Sequence, residues 1–183
     1  FARSGAGLVW FEATAVVHEG RANPRQLWLH PENVGAFAEL VSRMRRIAEQ
    51  EFGRNFRQTI VCQLTHSGRY SKPDGRPKPV IAQHDPFLDT HSRIPPDYPL
   101  ITDGELERLE DAFVRAARLA KDAGFDGVDI KSCHRYLISE LLAAHTREGL
   151  YGGSYENRTR FLKNVVAKIR HELGGSLLVT PRL

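Results

Sequence analysis

The chain contains 183 residues, of which 41% are hydrophobic and 26% are charged, and its formal net charge at pH 7 is +4. This balance is typical of a folded domain with a sizeable core, so it excludes a disordered chain and a fibrous repeat. No apolar run reaches the roughly 18 residues of a membrane span, and the dispersed basic residues argue against nucleic acid while leaving an anionic small-molecule ligand open.

Cysteine and histidine spacing excludes several kinds of site. Cys62 and Cys133 are the two cysteines, and their separation fits neither a disulfide framework nor a zinc site, so we expect free thiols and a cytoplasmic location. His84 and His91 also lack metal-ligand spacing and are interpreted as surface residues, and no metal site is expected. The chain begins at Phe1 with no signal-peptide pattern, which suggests a segment of a longer protein.

Strand-like and helix-like patterns alternate along the chain. Hydrophobic periodicity predicts strands at 8–11, 59–64, 128–131 and 177–180, the first of them fully buried and closed by residues 12–14. Amphipathic helices are predicted at 33–52, from the capping box of Thr102 and Glu105 to Gly124, and from a Ser154 cap to residue 173. Residues 71–100 have no sustained period, so they are predicted to form a long functional loop or lid.

This alternation predicts an α/β fold with a parallel sheet. Four strands with crossover helices are compatible with half of an eight-stranded TIM barrel or with part of an open doubly wound sheet. The open sheet would be favoured by a glycine-rich dinucleotide fingerprint after the first strand, and the sequence EATAVVHEG lacks one. A partial (β/α)8 barrel is therefore the better prediction.

Ionisable residues follow the third strand. Lys131, Cys133, His134 and Tyr136 lie where that strand ends, which is the functional face of a barrel. Histidine titrates near neutral pH, tyrosine can donate a proton, and lysine can neutralise an anion or form a Schiff base. The alternative is that the lysine is solvated and that the two rings only pack.

Two further candidates end the first two strands. Ala13 is small enough to let a flat ligand approach the backbone, although it could be small only for packing. Gln63 offers both an amide donor and an acceptor to a ring edge, or it could simply cap a backbone group. His66 follows Gln63 in the next loop and is a weaker candidate for the same cavity.

The sequence resembles a known protein family. The segment YGGSYENRTRF, residues 151–161, is similar almost letter for letter to the YGGS-ENR-RF signature of the Old Yellow Enzyme family of FMN-dependent ene-reductases and NADH:flavin oxidoreductases. GLVWFEATAV, QLTHSGR, AGFDGVDI and the final PRL occur in the same order as in that family. The resemblance extends over nearly the whole chain.

The resemblance implies an eight-stranded barrel with FMN at the carboxyl ends of the strands. This chain would supply the second to fifth strands, so residues 1–183 would form one incomplete TIM-barrel domain. The main FMN phosphate site would lie on later strands. The resemblance therefore implies that this segment alone neither closes the barrel nor holds FMN tightly.

The resemblance also assigns roles by position. Ala13 matches a small residue whose backbone lies against the flavin, Gln63 matches the residue that binds its pyrimidine edge, and Arg182 matches the cation near flavin N1. His134 matches one member of the pair that grips the substrate oxygen, and Tyr136 matches the proton donor. Two positions depart from the family: Lys131 replaces the usual His, and Arg135 replaces the usual Gly, which puts the substrate in doubt.

The implied reaction has two halves. NADH or NADPH delivers hydride to the flavin, and an electron-poor alkene then takes hydride while Lys131 and His134 polarise its carbonyl and Tyr136 protonates the adjacent carbon; His66 would help to bind the substrate. The partner is thus a small molecule, and a homo-oligomer remains open. The alternatives are a Schiff-base lyase that uses Lys131, and a barrel fragment without catalytic activity.

Overall fold

The computed structural model describes all residues from Phe1 to Leu183. Its four strands are parallel and lie in one sheet, in the order in which they occur along the chain. They are β1 (Leu8–Ala15), β2 (Thr59–Thr65), β3 (Gly127–Lys131) and β4 (Leu178–Arg182). Because the strand order never reverses, the sheet matches a barrel segment better than a doubly wound sheet, as the sequence predicts.

Five helices connect and flank the strands. They are α1 (Val34–Phe52), α2 (Pro86–Ser92), α3 (Asp103–Asp122), α4 (Leu137–Leu142) and α5 (Tyr155–Leu173). The predicted caps are confirmed: the Thr102 side chain and Glu105 form a capping box at α3, and the Ser154 side chain accepts a hydrogen bond from the Asn157 amide at α5. These local signals fix the starts of α3 and α5 because they satisfy amide groups that have no partner within the helix.

The hydrophobic core lies between one face of the sheet and the helices. Ile60, Cys62 and Leu64 of β2 and Val128 and Ile130 of β3 are fully buried there. Side chains of α1, α3 and α5 cover them, and the rings of Phe113 and Phe161 meet edge to face at 5.9 Å between α3 and α5. Alternate residues of the strands point to the opposite face, which would be the barrel interior.

The prediction that β1 is fully buried is wrong. Leu8 is 52% exposed and Trp10 is 41% exposed, whereas Val9 is buried. The reason is the period of two along a strand: Val9 points to the helices, while Leu8 and Trp10 point to the interior face, which these helices do not cover. The strand also continues to Ala15, with a register shift between Phe11 and Thr14.

The prediction that residues 71–100 form only a loop is also incomplete, because α2 lies within them. Asp85 caps this helix by accepting hydrogen bonds from the Phe87 and Leu88 amides, and Pro86 occupies its first position. Asp-Pro is a helix-start signal that the absence of a long apolar period concealed. His84 is half-buried rather than on the surface, with its ring nitrogens 2.7 Å from the Asp89 carboxylate and 3.0 Å from the Tyr98 carbonyl.

None of the helices combines the length and the apolarity that crossing a bilayer requires.

Candidate active site

The strand register brings the predicted residues to one face of the sheet. Gln63 pairs with Asp129, and Asp129 pairs with Thr180; one step further, Lys131 pairs with Arg182. In a parallel sheet, paired residues point to the same side, and residues two apart along a strand also share a side. Gln63, Asp129, Lys131 and Arg182 therefore share the interior face, at or near the carboxyl ends of their strands.

A hydrogen-bonded group crosses three strands on this face. Gln63 Nε2 donates to Asp129 Oδ2 at 2.5 Å, and Trp10 Nε1 donates to the same oxygen at 3.0 Å. Gln63 and Asp129 are buried. The other carboxylate oxygen of Asp129 is buried without a hydrogen-bond partner, so this face carries an acceptor that no side chain of the chain satisfies.

Lys131 and Tyr136 lie together at the end of β3. The Lys131 ammonium is 4.2 Å from the centre of the Tyr136 ring, which is the geometry of a cation–π contact. Burial lowers the pKa of Lys131, and the adjacent Arg182 guanidinium lowers it further. Burial raises the pKa of the Tyr136 hydroxyl, so this hydroxyl keeps its proton at neutral pH and can donate it.

These two side chains border a cleft of about 400 Å³. Ala13 and Glu12 of β1 line the opposite wall, together with the segment 22–27. Gln26 holds that segment in place because its Nε2 donates to the Ala13 carbonyl at 2.9 Å. Ala13 lies at the bulge of β1, where the strand leaves its register with β2, and bulges commonly redirect residues beside functional sites. The structure thus brings Ala13, Lys131 and Tyr136 together.

His134 lies apart from this group. Its side chain is exposed, makes no hydrogen bond or ion pair within the chain, and does not line the cleft. The cause is the turn after β3, in which His134 and Arg135 both have left-handed backbone angles, with φ values of 61° and 55°. In this conformation Lys131 and Arg25 are the cations that line the cleft, and His134 does not line it.

His66 does not line the Lys131–Tyr136 cleft either. Its ring is buried, and Nδ1 accepts a hydrogen bond from the Gly68 amide at 3.0 Å. It borders a different cleft, between α3 and residues 79–101. Burial lowers the pKa of His66 to about 4, so its imidazole is neutral and serves to hold the loop after β2.

Arg182 ends β4 with an exposed side chain that makes no hydrogen bond within the chain. Its carbonyl accepts a hydrogen bond from the Ser132 amide at 2.8 Å, which fixes the backbone beside Lys131. The guanidinium is therefore free to bind a ligand on the interior face.

The sequence reasoning did not single out two residues that organise this site. Asp129 lies within the predicted strand 128–131, and its contact with Gln63 depends on a register that the sequence does not reveal. Arg69 is buried and pairs with both Asp89 and Glu140, which ties the loop after β2 and the α2 segment to α4. The sequence gives only a weak signal for these ion pairs. Arg69 is a basic residue shortly after β2, and the two acidic residues that it contacts lie far along the chain.

Comparison with known proteins identifies the family. Residues 2–183 match the model of the NADH:flavin oxidoreductase / NADH oxidase family. The chain belongs to this family. An NADPH dehydrogenase of Geobacillus sp. is 37% identical over 94% of this chain and 47% of its own length, and one of Clostridium acetobutylicum is 34% identical over 91% and 46%.

Solved structures agree with this assignment. The old yellow enzyme homologue from Zymomonas mobilis has a TM-score of 0.77 at 28% identity, covering 98% of this chain and 51% of its own. A morphinone reductase variant in complex with tetrahydroNAD has a TM-score of 0.77 at 25% identity, covering 100% and 52%. The Old Yellow Enzyme resemblance and the partial TIM barrel are therefore confirmed, and the chain spans about half the length of the curated relatives it matches.

Family membership implies FMN as the cofactor and NADH or NADPH as the reductant. The residues on the interior face fit FMN chemically. The Gln63 amide presents both hydrogen-bonding functions to a ring edge, the Arg182 guanidinium has no partner in the chain, and Asp129 keeps one buried oxygen unsatisfied.

Proposed function

We propose that the complete protein is an FMN-dependent oxidoreductase that passes hydride from NADPH or NADH to an electron-poor alkene such as an α,β-unsaturated carbonyl compound. The observation that carries this proposal is the placement of Gln63, Lys131 and Arg182 on one face at the strand ends, with Tyr136 against Lys131. Bound FMN would supply the two-electron redox chemistry.

Three residues are proposed to hold the flavin. The Gln63 amide would bind the pyrimidine edge, and Ala13 would give the ring access to the backbone at the bulge of β1. The Arg182 guanidinium would offset the negative charge of the reduced ring, which favours reduction. The phosphate site is proposed to lie outside the described chain, so residues 1–183 would be one incomplete barrel domain.

Two residues are proposed to act on the substrate. The Lys131 ammonium would polarise the substrate oxygen, and Tyr136 would donate the proton, consistent with the raised pKa of its hydroxyl. His134 would join Lys131 only if the turn of residues 132–135 moved its ring toward the cleft. His66, which borders another cleft, is given no substrate role.

The test begins with the full-length protein. We expect it to be yellow as purified, to be bleached by NADPH or NADH without oxygen, and to regain its colour when 2-cyclohexenone is added. Absence of bound flavin would contradict the proposal, as would a reduced flavin that the enone cannot reoxidise.

The two free cysteines are compatible with the proposed cytoplasmic location.

A Schiff-base lyase is the second candidate, favoured by one observation. Lys131 is 7% exposed and forms no ion pair, and burial lowers its pKa, which is how an amine nucleophile is activated. Borohydride added with a carbonyl substrate would then increase the mass of a peptide containing Lys131. The Lys131→Arg variant is the control, and an unmodified Lys131 in a flavin-containing protein would exclude this candidate.

A further inference from the structure

Asp129 is an unusual residue on the interior face. Its side chain is fully buried, yet it contacts no cation at ion-pair distance. One oxygen, Oδ2, accepts two hydrogen bonds, from Gln63 and from Trp10, while Oδ1 accepts none. A buried carboxylate is costly unless it is paired and hydrogen-bonded. Packing in the hydrophobic core does not account for Asp129, because the core lies on the other face of the sheet.

The chemistry of the two side chains fixes the orientation of the Gln63 amide. A carboxylate can only accept hydrogen bonds, whereas an amide has one accepting end and one donating end. Asp129 therefore requires the NH₂ end of Gln63, and the 2.5 Å separation is that of a charge-assisted bond. The carbonyl oxygen of Gln63 is left without a partner in the chain, available to a donor group on a bound ring.

We propose that Asp129 is the positioning residue of the flavin site and that it acts through Gln63. This inference rests on the proposed function. By holding the amide nitrogen, Asp129 commits the Gln63 carbonyl oxygen to a ring N–H and prevents the flipped orientation, in which two donors would face each other. FMN affinity thus depends on a residue that is not itself required to touch FMN.

The competing explanation is that Asp129 only ties the strands together through Trp10. Trp10 belongs to β1 and Asp129 to β3, so their hydrogen bond spans β2. If Asp129 served only to accept this hydrogen bond, removing the indole N–H would change FMN affinity as much as removing the carboxylate. Trp10→Phe keeps an aromatic ring and deletes that donor, so it is the matched control.

A double-mutant cycle in the full-length protein tests this inference. The dissociation constant of FMN is measured by equilibrium dialysis against the apoprotein of each variant. We expect Asp129→Leu to weaken FMN binding about tenfold alone, and less than about twofold when Gln63→Leu is already present. Removal of the negative charge contributes equally in both backgrounds, so the cycle cancels it. Trp10→Phe should leave the affinity within about twofold.

A second variant tests the same contact if Asp129→Leu does not fold. Gln63→Glu places a second carboxyl group against Asp129, and two ionised carboxylates at that distance repel each other, so one must hold a proton. We expect FMN binding by this variant to weaken, relative to the wild type, as the pH rises and the second carboxyl group of the pair ionises.

The outcomes separate the two claims. Equal losses from Asp129→Leu in both backgrounds, a Trp10→Phe variant that reproduces the loss, or a Gln63→Glu variant with the pH profile of the wild type would each overturn the positioning role while the wild type still binds FMN. A wild-type protein that binds no FMN would overturn the proposed function and this inference with it.

Discussion

At the scale of single residues, the contact between Lys131 and Tyr136 decides what the cleft can do. The ammonium lies 4.2 Å from the ring centre, so one side chain supplies positive charge and its neighbour supplies a proton. Burial makes the ammonium easier to deprotonate and the phenol harder to deprotonate. The two groups can be tested separately because Lys131 would polarise the substrate oxygen, whereas Tyr136 would donate the proton.

The first prediction concerns Tyr136. Tyr136→Phe should slow reoxidation of the reduced flavin by an enone on the order of a hundredfold, because a positioned general acid contributes about that much or more. Flavin reduction by NADPH needs no proton from this residue and should change little. Anaerobic stopped-flow measurement of the two half-reactions tests this, and equal slowing of both would contradict the proton-donor role.

The second prediction concerns the pH dependence of Lys131. Its pKa is below the ordinary lysine value, and the charged form is the one that polarises oxygen, so enone reduction should decline as pH rises through this lowered pKa. The pKa of Tyr136 is shifted upward and cannot cause an early decline. The Lys131→Arg variant keeps the positive charge, so the alkaline decline of its rate profile should move to higher pH. An alkaline decline at the same pH as in the wild type would assign that decline to another group.

At the scale of elements, the turn between β3 and α4 is the strained segment of the site. His134 and Arg135 both have φ near +60°, and each non-glycine residue in this region costs about 1 kcal/mol. A glycine at position 135 would adopt this conformation without a steric penalty.

Arg135→Gly should consequently stabilise the protein. We expect the free energy of unfolding to rise by roughly 1 kcal/mol, because glycine tolerates positive φ. Arg135→Ala is the control: it removes the same charge and keeps the Cβ, so it should give no such gain. Denaturant unfolding of full-length variants measures both, and an equal gain from the alanine variant would attribute the effect to charge.

Helix starts were predicted well because their signals are local, as the capping box of Thr102 and Glu105 illustrates. The α2 segment was missed because seven residues are too few to show an apolar period. The ion pairs that hold it are also distant in sequence: Arg69 joins Asp89 to Glu140, 51 positions apart by their numbers. No periodicity reports such a contact. The candidate site shows the same difference between local and distant signals. Gln63 and Lys131 could be predicted because they lie at strand ends, whereas the role of Asp129 depends on the register between β2 and β3.

At the scale of the whole molecule, the sheet has two free edges. β4 pairs on one side only, and β1 pairs with a strand only on the side of β2, apart from a single bridge between Ala15 and Trp28. Leu8, Trp10 and Leu178 expose apolar surface on the interior face. Unpaired strand edges with apolar neighbours promote association. In the confirmed barrel family, this face would be covered by further strands.

Residues 1–183 expressed alone should therefore self-associate and bind little FMN. Light scattering after size-exclusion chromatography should give a mass well above 20.7 kDa, and dialysis should leave less than stoichiometric flavin. The full-length protein is the control. A monomer of the segment with one tightly bound FMN would contradict the incomplete-barrel interpretation.

The two tryptophans have different surroundings. Trp10 lies on the interior face, hydrogen-bonded to Asp129, whereas Trp28 stacks on His30 at 4.2 Å in a cleft beside α3. Indole emission overlaps flavin absorption, so both tryptophans could transfer excitation to a bound flavin, and the nearer indole would be quenched more. In a Trp28→Phe variant, the dimming of Trp10 on addition of FMN would then report how much of the cofactor is bound.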